Sequence, residues 1–517
     1  MSIPGSGASY VNPLLQGWSW TGKAGTGTTV DYTFKATSEQ AVDPVLREAV
    51  NSILNGISEY ANIHFNYNLV SSINNQLQQS RTINGQQNHQ SVDLIFSVDT
   101  TLAPGILGLT TFPFFGAGPP TESKILAADV AVNATPAELQ KGGEGYVTLT
   151  HEIGHSLGLS HPNTGESQTG VKLPVAEQTS DATVMNSSFP DFGPDDFTAN
   201  IRPQGMQIDD IAALQHIYGA NRNFHAGNDL YDINGTEVKS RTIWDAGGVD
   251  TISTANYSGD SVIDLREGYK NVTQVGPSSA SRTNIWLAYG SNIEHAQAGN
   301  GNDQVFGNSM SNILNGAGGN DVIRGALGND TINGNQGNDN LFGGAGDDTI
   351  AGGKDNDTID GFTGIDNLVG NMGDDVITGG DGADSIQGNE GNDILSGDNG
   401  NDILRGGFGD DQIFGGANED IIFGGPGNDY MNGGAGFDIY VFEAGFGNDT
   451  IGGFDGAGAG GGVLDVIKIS SAVVANVAAI LALAVVTDSG VVINFGGGNS
   501  ITLIGATNVV ADDFAIF

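Results

Sequence analysis

At 517 residues the chain is long enough for two or more domains, each with its own core. Sixty acidic residues against 18 basic ones leave a net charge of −42, so nucleic acid and anionic membrane surfaces are poor partners and cations are good ones. The absence of cysteine excludes disulfides and cysteine-based zinc cages, and 81 glycines, more than twice the usual share of about 7%, call for a repeated glycine-demanding backbone.

The first twenty residues hold no basic side chain and no apolar run, so no Sec-type signal peptide is expected there. Asp43 as cap and Pro44 as first helical residue open a helix within 43–65. Its apolar face is Val45, Leu46, Val50, Ile53, Leu54, Ile57 and Ala61. Strand-like runs follow at "SVDLIFSV" (91–98) and "KILAADVAV" (124–132).

The stretch "THEIGHSLGLSHP" (150–162) carries two motifs at once. Gly154 to Gly158 spells G-x-S-x-G, the nucleophile elbow of serine hydrolases, with Ser156 as nucleophile. His151 to His161 spells H-E-x-x-H-x-x-G-x-x-H. In a chain this rich in glycine the first pattern is expected about once by chance, the second on the order of 10⁻⁵ times. The elbow also needs successive strand–helix units, and "YVTLT" is the only plausible strand just before it. Ser156 therefore reads as a small helical residue. His151 and His155, four apart, share one helix face and can reach one zinc ion. Gly158 lets the chain leave the helix sharply, so that His161 can return as third ligand. Glu152 follows His151, which places its carboxylate beside the metal where it can hold the bound water, and the open fourth position marks a catalytic zinc.

"MQIDDIAALQHIYGAN" (206–221) reads as a further helix, with His216 a packed or surface residue rather than a ligand. From Ala298 to Val441 the chain then divides into sixteen nine-residue units without insertion. The sixth position is Asp303, Asp321, Asp330, Asp339, Asp348, Asp357, Asp366, Asp375, Asp384, Asp393, Asp402, Asp411, Asp420, Asp429 and Asp438, with Asn312 in the remaining unit. The eighth is always apolar, from Val305 to Tyr440, and the fourth is Gly except at Met310, Asp355 and Asn418. Glycine permits positive φ and inward carbonyls, and Asp adds a hard oxygen ligand suited to Ca²⁺. The last three residues of each unit are expected to form a short strand. These 144 residues hold 22 Asp and 2 Glu against three Lys or Arg, a balance of −21. Without cations that density is expected to keep the segment unfolded, and calcium to fold it. The apolar run 472–486 is too short for a membrane span and reads as a cap helix or buried segment.

The nonapeptides resemble RTX calcium repeats, which implies a parallel β-roll. "HEIGHSLGLSHP" resembles the zinc signature of metzincin proteases. Together with "GWSWTG…VDYTF" (17–34), "DDIAALQHIYGAN" (209–221) and "WDAGGVDT" (244–251), it makes the chain similar to the serralysin family. The resemblance implies an α+β metzincin-type catalytic domain over 1–221 and a connecting segment over 222–297. A parallel β-roll over 298–441 and a β-rich cap with a secretion signal over 442–517 complete the expected order. It implies zinc on His151, His155 and His161, Glu152 as base, calcium on the repeat aspartates, Met185 as the Met-turn beneath the zinc, and 124–133 as an edge strand that pairs with an extended peptide. A tyrosine is typical of the family two residues after that methionine; Ser187 stands there. The expected function is that of a secreted, monomeric zinc endopeptidase acting on protein or peptide substrates. It would leave through a type I exporter addressed by "ADDFAIF" (511–517), with no nucleic-acid partner and no membrane span. The alternatives are a non-catalytic calcium-binding surface or adhesion protein with a weakened protease domain, and a serine hydrolase with an RTX tail.

Overall fold

The computed structural model describes residues 18–19, 28–34, 44–67, 94–98, 108–115, 123–132, 139–140, 144–157, 159, 206–218, 220–233, 240–274, 282–456 and 464–517. The chain forms two compact units. One comprises 1–229, 235–250 and 267–293, the other 230–234, 251–266 and 294–517. The expected connecting segment, 222–297, is thus shared between the two units rather than being a piece of its own.

The first unit carries a six-stranded sheet of β1 (Trp18–Ser19), β2 (Thr28–Phe34), β3 (Ile63–Tyr67), β4 (Leu94–Val98), β5 (Gly108–Phe115) and β6 (Ser123–Val132). The order is β1-β6-β4-β2-β3, all parallel, with β5 antiparallel on β6. This overturns the edge placement of 124–133: β4 pairs with it on one side and β5 on the other, with Leu94 facing Ala128 and Gly108 facing Val132. The edge position falls to β5, whose one partner strand among the described residues is β6.

Helix α1 runs from Pro44 to Tyr60, starting at the proline the sequence marks. It buries Leu46, Ala49, Val50, Ile53, Leu54 and Ile57; of the expected face, Val45 stays half-buried and Ala61 is buried just past the helix end, and Ala49 is added. Each of the larger side chains contributes roughly 1.5–3 kcal/mol by leaving water. They pack in one core with residues of α2 (Glu144–Ser156) and α3 (Ile208–Tyr218), including Leu149, Ile153, Ile211 and Leu214. Polar contacts lock this core: the Tyr32 hydroxyl donates to Asn51 Oδ1 at 2.8 Å, and Gln215 Nε2 donates to the Tyr60 carbonyl at 3.1 Å. The side chain of His216 lies outside the described residues.

In the second unit the nine-residue units alternate between two parallel sheets, so one turn of the roll is two units. Val322–Leu327 pairs with Asn340–Ala345 and that with Thr358–Thr363, while Thr331–Gln336 pairs with Thr349–Lys354 in the other sheet. The eighth-position side chains, from Val305 to Tyr440, are 0% exposed and form the core between the sheets. Gln304–Phe306 and Ile421–Phe423 have the three residues expected, but the other strands of the repeats are longer. Most continue through the first three positions of the next unit, as in Val322–Leu327, and the bend is confined to positions four to six. Parallel pairing extends there because the second position adopts positive φ, even at Ala326 (+87°) and Asn335 (+81°). At Gly344 (φ +116°) a Cβ would come within 2.2 Å of the Ala326 carbonyl oxygen of the previous turn, so the close stacking admits no side chain there.

Beyond the repeats the roll continues through Asn448–Ile451 and Val466–Ile469, which pair with Tyr430–Ala435 and Ile439–Phe442. The run 472–486 is half helix and half strand: α4 spans Val477–Leu483, capped by the Asn476 side chain, and a strand follows at Ala484–Thr487. Phe514–Ile516 adds a last parallel strand on Val466–Ile469. No helix among the described residues is long and apolar enough to cross a membrane.

Candidate metal centres

Helix α2 positions the histidine motif. His151 and Glu152 are buried, at 4% and 7% exposure, and His155 is half-buried. The two imidazoles lie on one face, ring centroids 4.7 Å apart and planes perpendicular, close enough for both to reach one ion. His155 Nδ1 lies 2.9 Å from the Leu159 carbonyl oxygen. Donation there fixes the tautomer and turns the Nε2 lone pair outward, the usual arrangement of a metal-ligating histidine. The carbonyl is in reach because the chain turns back after the helix: Leu157 and Leu159 both donate their N–H to Gly154 O, at 3.1 and 3.0 Å. Helix α3 secures this turn, the buried Tyr218 hydroxyl donating to Leu157 O at 2.9 Å. His161, Met185 and Ser187 lie outside the described residues.

Ser156 is fully buried, and its Oγ donates to Ile153 O at 2.7 Å. A hydroxyl folded onto the preceding helical turn is not presented as a nucleophile, so the elbow reading fails on geometry.

The repeat aspartates form two columns of hydrogen-bonded rungs. Up to Asp420 the backbone N–H of each donates to Oδ1 of the aspartate eighteen positions on, as from Asp303 to Asp321 (2.7 Å), Asp339 to Asp357 (2.9 Å) and Asp366 to Asp384 (2.8 Å), while Asp429 and Asp438 donate to Asp449 and Asp465. The other oxygen, Oδ2, meets no donor among the described residues in Asp321, Asp330, Asp339, Asp348, Asp357, Asp366, Asp375, Asp384, Asp393, Asp402, Asp411, Asp420, Asp429 and Asp438, although all are at most 2% exposed. The first-position glycine makes room for it: a Cβ on Gly352 would lie 2.3 Å from Asp357 Oδ2 and 2.9 Å from the Gly370 carbonyl oxygen. Buried carboxylate oxygens beside backbone carbonyls are the donor set of a Ca²⁺ site, and stripped of a cation they hold protons instead. Burial first, and neighbouring rungs second, push Asp321, Asp357 and Asp411 up to about 8 against the lowering effect of the N–H bond. Asp330 is pushed up to about 7 and Asp339 to about 6.

Asp303 differs. Its Oδ1 accepts from the Ser261 N–H and hydroxyl and its Oδ2 from Gly299 N–H at 3.1 Å, so protein donors satisfy both oxygens. Asn312 is likewise closed, its Nδ2 donating to Glu294 O at 3.1 Å.

A third acidic cluster escapes a motif reading. Asp229, Asp245 and Asp250 bring carboxylate oxygens within 4.8 Å of one another. The Asp229 N–H donates to Asp250 Oδ1 at 2.7 Å, the same step as in the ladder. The available signal is "GGVDTIS" (247–253), which repeats the letters of a nonapeptide far from the array.

The RTX calcium-binding nonapeptide repeat model matches residues 297–332, 324–359, 333–368, 360–395, 369–404 and 405–440. A serralysin of Proteus mirabilis is 35% identical over 205 residues, 36% of this chain and 39% of that protein. A metallopeptidase AprA of Pseudomonas marginalis is 34% identical, over 33% of this chain and 39% of its own. Serralysin C of Dickeya chrysanthemi is 36% identical, over 31% and 35%. These alignments span about two-fifths of the relatives' own length.

Proposed function

We propose, for a chain that belongs to the serralysin family, that it is a secreted zinc-dependent endopeptidase whose second half is ordered by calcium. The observation that carries the catalytic reading is the paired imidazole face of α2, with His155 held by the Leu159 carbonyl and Glu152 next to His151. His151, His155 and His161 would hold the zinc. When bound, zinc polarises a peptide carbonyl and brings the pKa of a water toward about 7. Glu152 takes the proton of the attacking water and hands it to the leaving amine, its carboxylate kept from bulk solvent by burial. An extended substrate would pair along β5, the edge strand next to β6. Met185 would support the site from below, and Ser187 leaves that position without the phenol the family carries there.

The repeat aspartates with open Oδ2 atoms would hold calcium, which binds outside the cell where it is abundant and so folds the roll after export. A type I exporter reading "ADDFAIF" is the matching route. Ser187 favours one other reading, a calcium-binding surface protein with a weakened protease domain. Casein hydrolysis and zinc content of the wild type and Glu152→Ala decide between them. The variant should keep its zinc and lose activity at least about a hundredfold; equal activity in both proteins removes the mechanism, and no activity in either supports the surface protein.

A further inference from the structure

Residues 442–451 depart from the nine-residue spacing, yet the ladder passes through them. Two extra residues come before Phe446, and from there each contact of a repeat bend resumes twenty positions on instead of eighteen. Gly427 N–H donates to Phe446 O at 3.2 Å, as Gly409 N–H does to Pro426 O at 3.1 Å. Gly447 has φ +89°, and a Cβ on it would meet the Gly427 carbonyl oxygen at 1.7 Å, the same close approach that Gly427 makes to Gly409. Asn448 N–H donates to Asn428 Oδ1, and Ile451 is 0% exposed between the sheets. Asp449 then accepts the Asp429 N–H on Oδ1 at 2.9 Å. It is 1% exposed, and its Oδ2 meets no donor among the described residues.

The three other column ends are closed by protein. Asp303 Oδ2 accepts from Gly299, Asn312 carries an amide that donates to Glu294, and Asp465 Oδ2 accepts the Asp455 N–H at 2.8 Å. We propose that Asp449, outside the nonapeptide array, is a calcium ligand that completes the last site of its column with Asp429. An open carboxylate oxygen buried away from water suits a hard divalent cation and nothing apolar. Asp465, its counterpart in the other column, takes no part in binding because a backbone N–H already occupies its second oxygen.

The inference rests on the calcium reading of the repeats, and native mass spectrometry of the full chain in calcium separates the two. Asp449→Asn should carry one calcium ion fewer than the wild type, and Asp465→Asn the same number. An unchanged count in Asp449→Asn overturns the assignment while leaving the repeats intact; a wild type without calcium overturns the calcium reading itself. Should Asp449→Asn fail to fold, anomalous diffraction from the calcium-loaded wild type decides. An ion bonded to Asp449 supports the assignment, and ions at the repeats with none at Asp449 refute it.

Discussion

Removing calcium at neutral pH should unfold the roll, and acidifying the metal-free protein should bring much of it back. Every affected rung is raised above the 3.8 of an ordinary Asp, chiefly by burial, so the metal-free folded state binds protons that the unfolded chain has released. Stability is therefore undiminished by this effect below about pH 4 and is lost as pH rises through the folded values, about 6 to 8. Asp339, Asp393, Asp402, Asp429 and Asp438 are pushed up to about 6. Between pH 5 and pH 8 each loses about 1.4 kcal/mol, so these five alone remove roughly 7 kcal/mol, on the scale of a whole domain's stability. The rungs at about 7 and 8 act in the same direction. The assay is far-ultraviolet circular dichroism of the full chain in calcium-depleted buffer from pH 8 down to pH 5, above its pI of 4.1. Strand signal should grow on acidification without metal and stay flat with calcium present. A metal-free chain equally folded at both ends of the range, or equally unfolded, refutes the argument.

Other substitutions test other parts. His161→Ala should lower zinc occupancy of the purified protein while leaving its calcium content unchanged, since two imidazoles bind more weakly than three. Ile53→Ala, in the core of the first unit, should cost about 2–5 kcal/mol, read as a lower denaturation midpoint with the roll's own transition unmoved. Gly352→Ala drives a methyl against Asp357 Oδ2 and should raise the calcium concentration needed to fold. Gly445→Ala, with nothing within 4 Å, should cost only about 1–2 kcal/mol of backbone strain and leave the calcium midpoint close to wild type.

What could be read from the letters alone follows from how local each pattern is. The paired face of His151 and His155 and the nine-residue phase are set within one or two turns of chain, so spacing reveals them. Helix α1 is legible for the same reason: Pro44 opens it and one apolar stripe, Leu46 to Ile57, faces the core. Strand length in the roll was less legible, because pairing through positions one to three depends on positive φ at Ala326 and Asn335, which their side chains do not advertise. The covering of β6 by β5 is a tertiary choice between two apolar runs. Asp449 and the cluster of Asp229, Asp245 and Asp250 stayed hidden because insertions and long separations break the phase, while the backbone restores it in space.

All links in a column point the same way: each aspartate's N–H is answered by a carboxylate that comes later in the chain, never earlier. A turn of the roll is therefore unfinished until the next eighteen residues have arrived. Where the roll orders from its amino end, the ordered front must trail the newest residue by at least one turn. The newest rung always presents an unanswered donor, which only Asp449 and Asp465 at last retire. The ladder is thus a one-way ratchet, and the residues just past the repeats act as its stop.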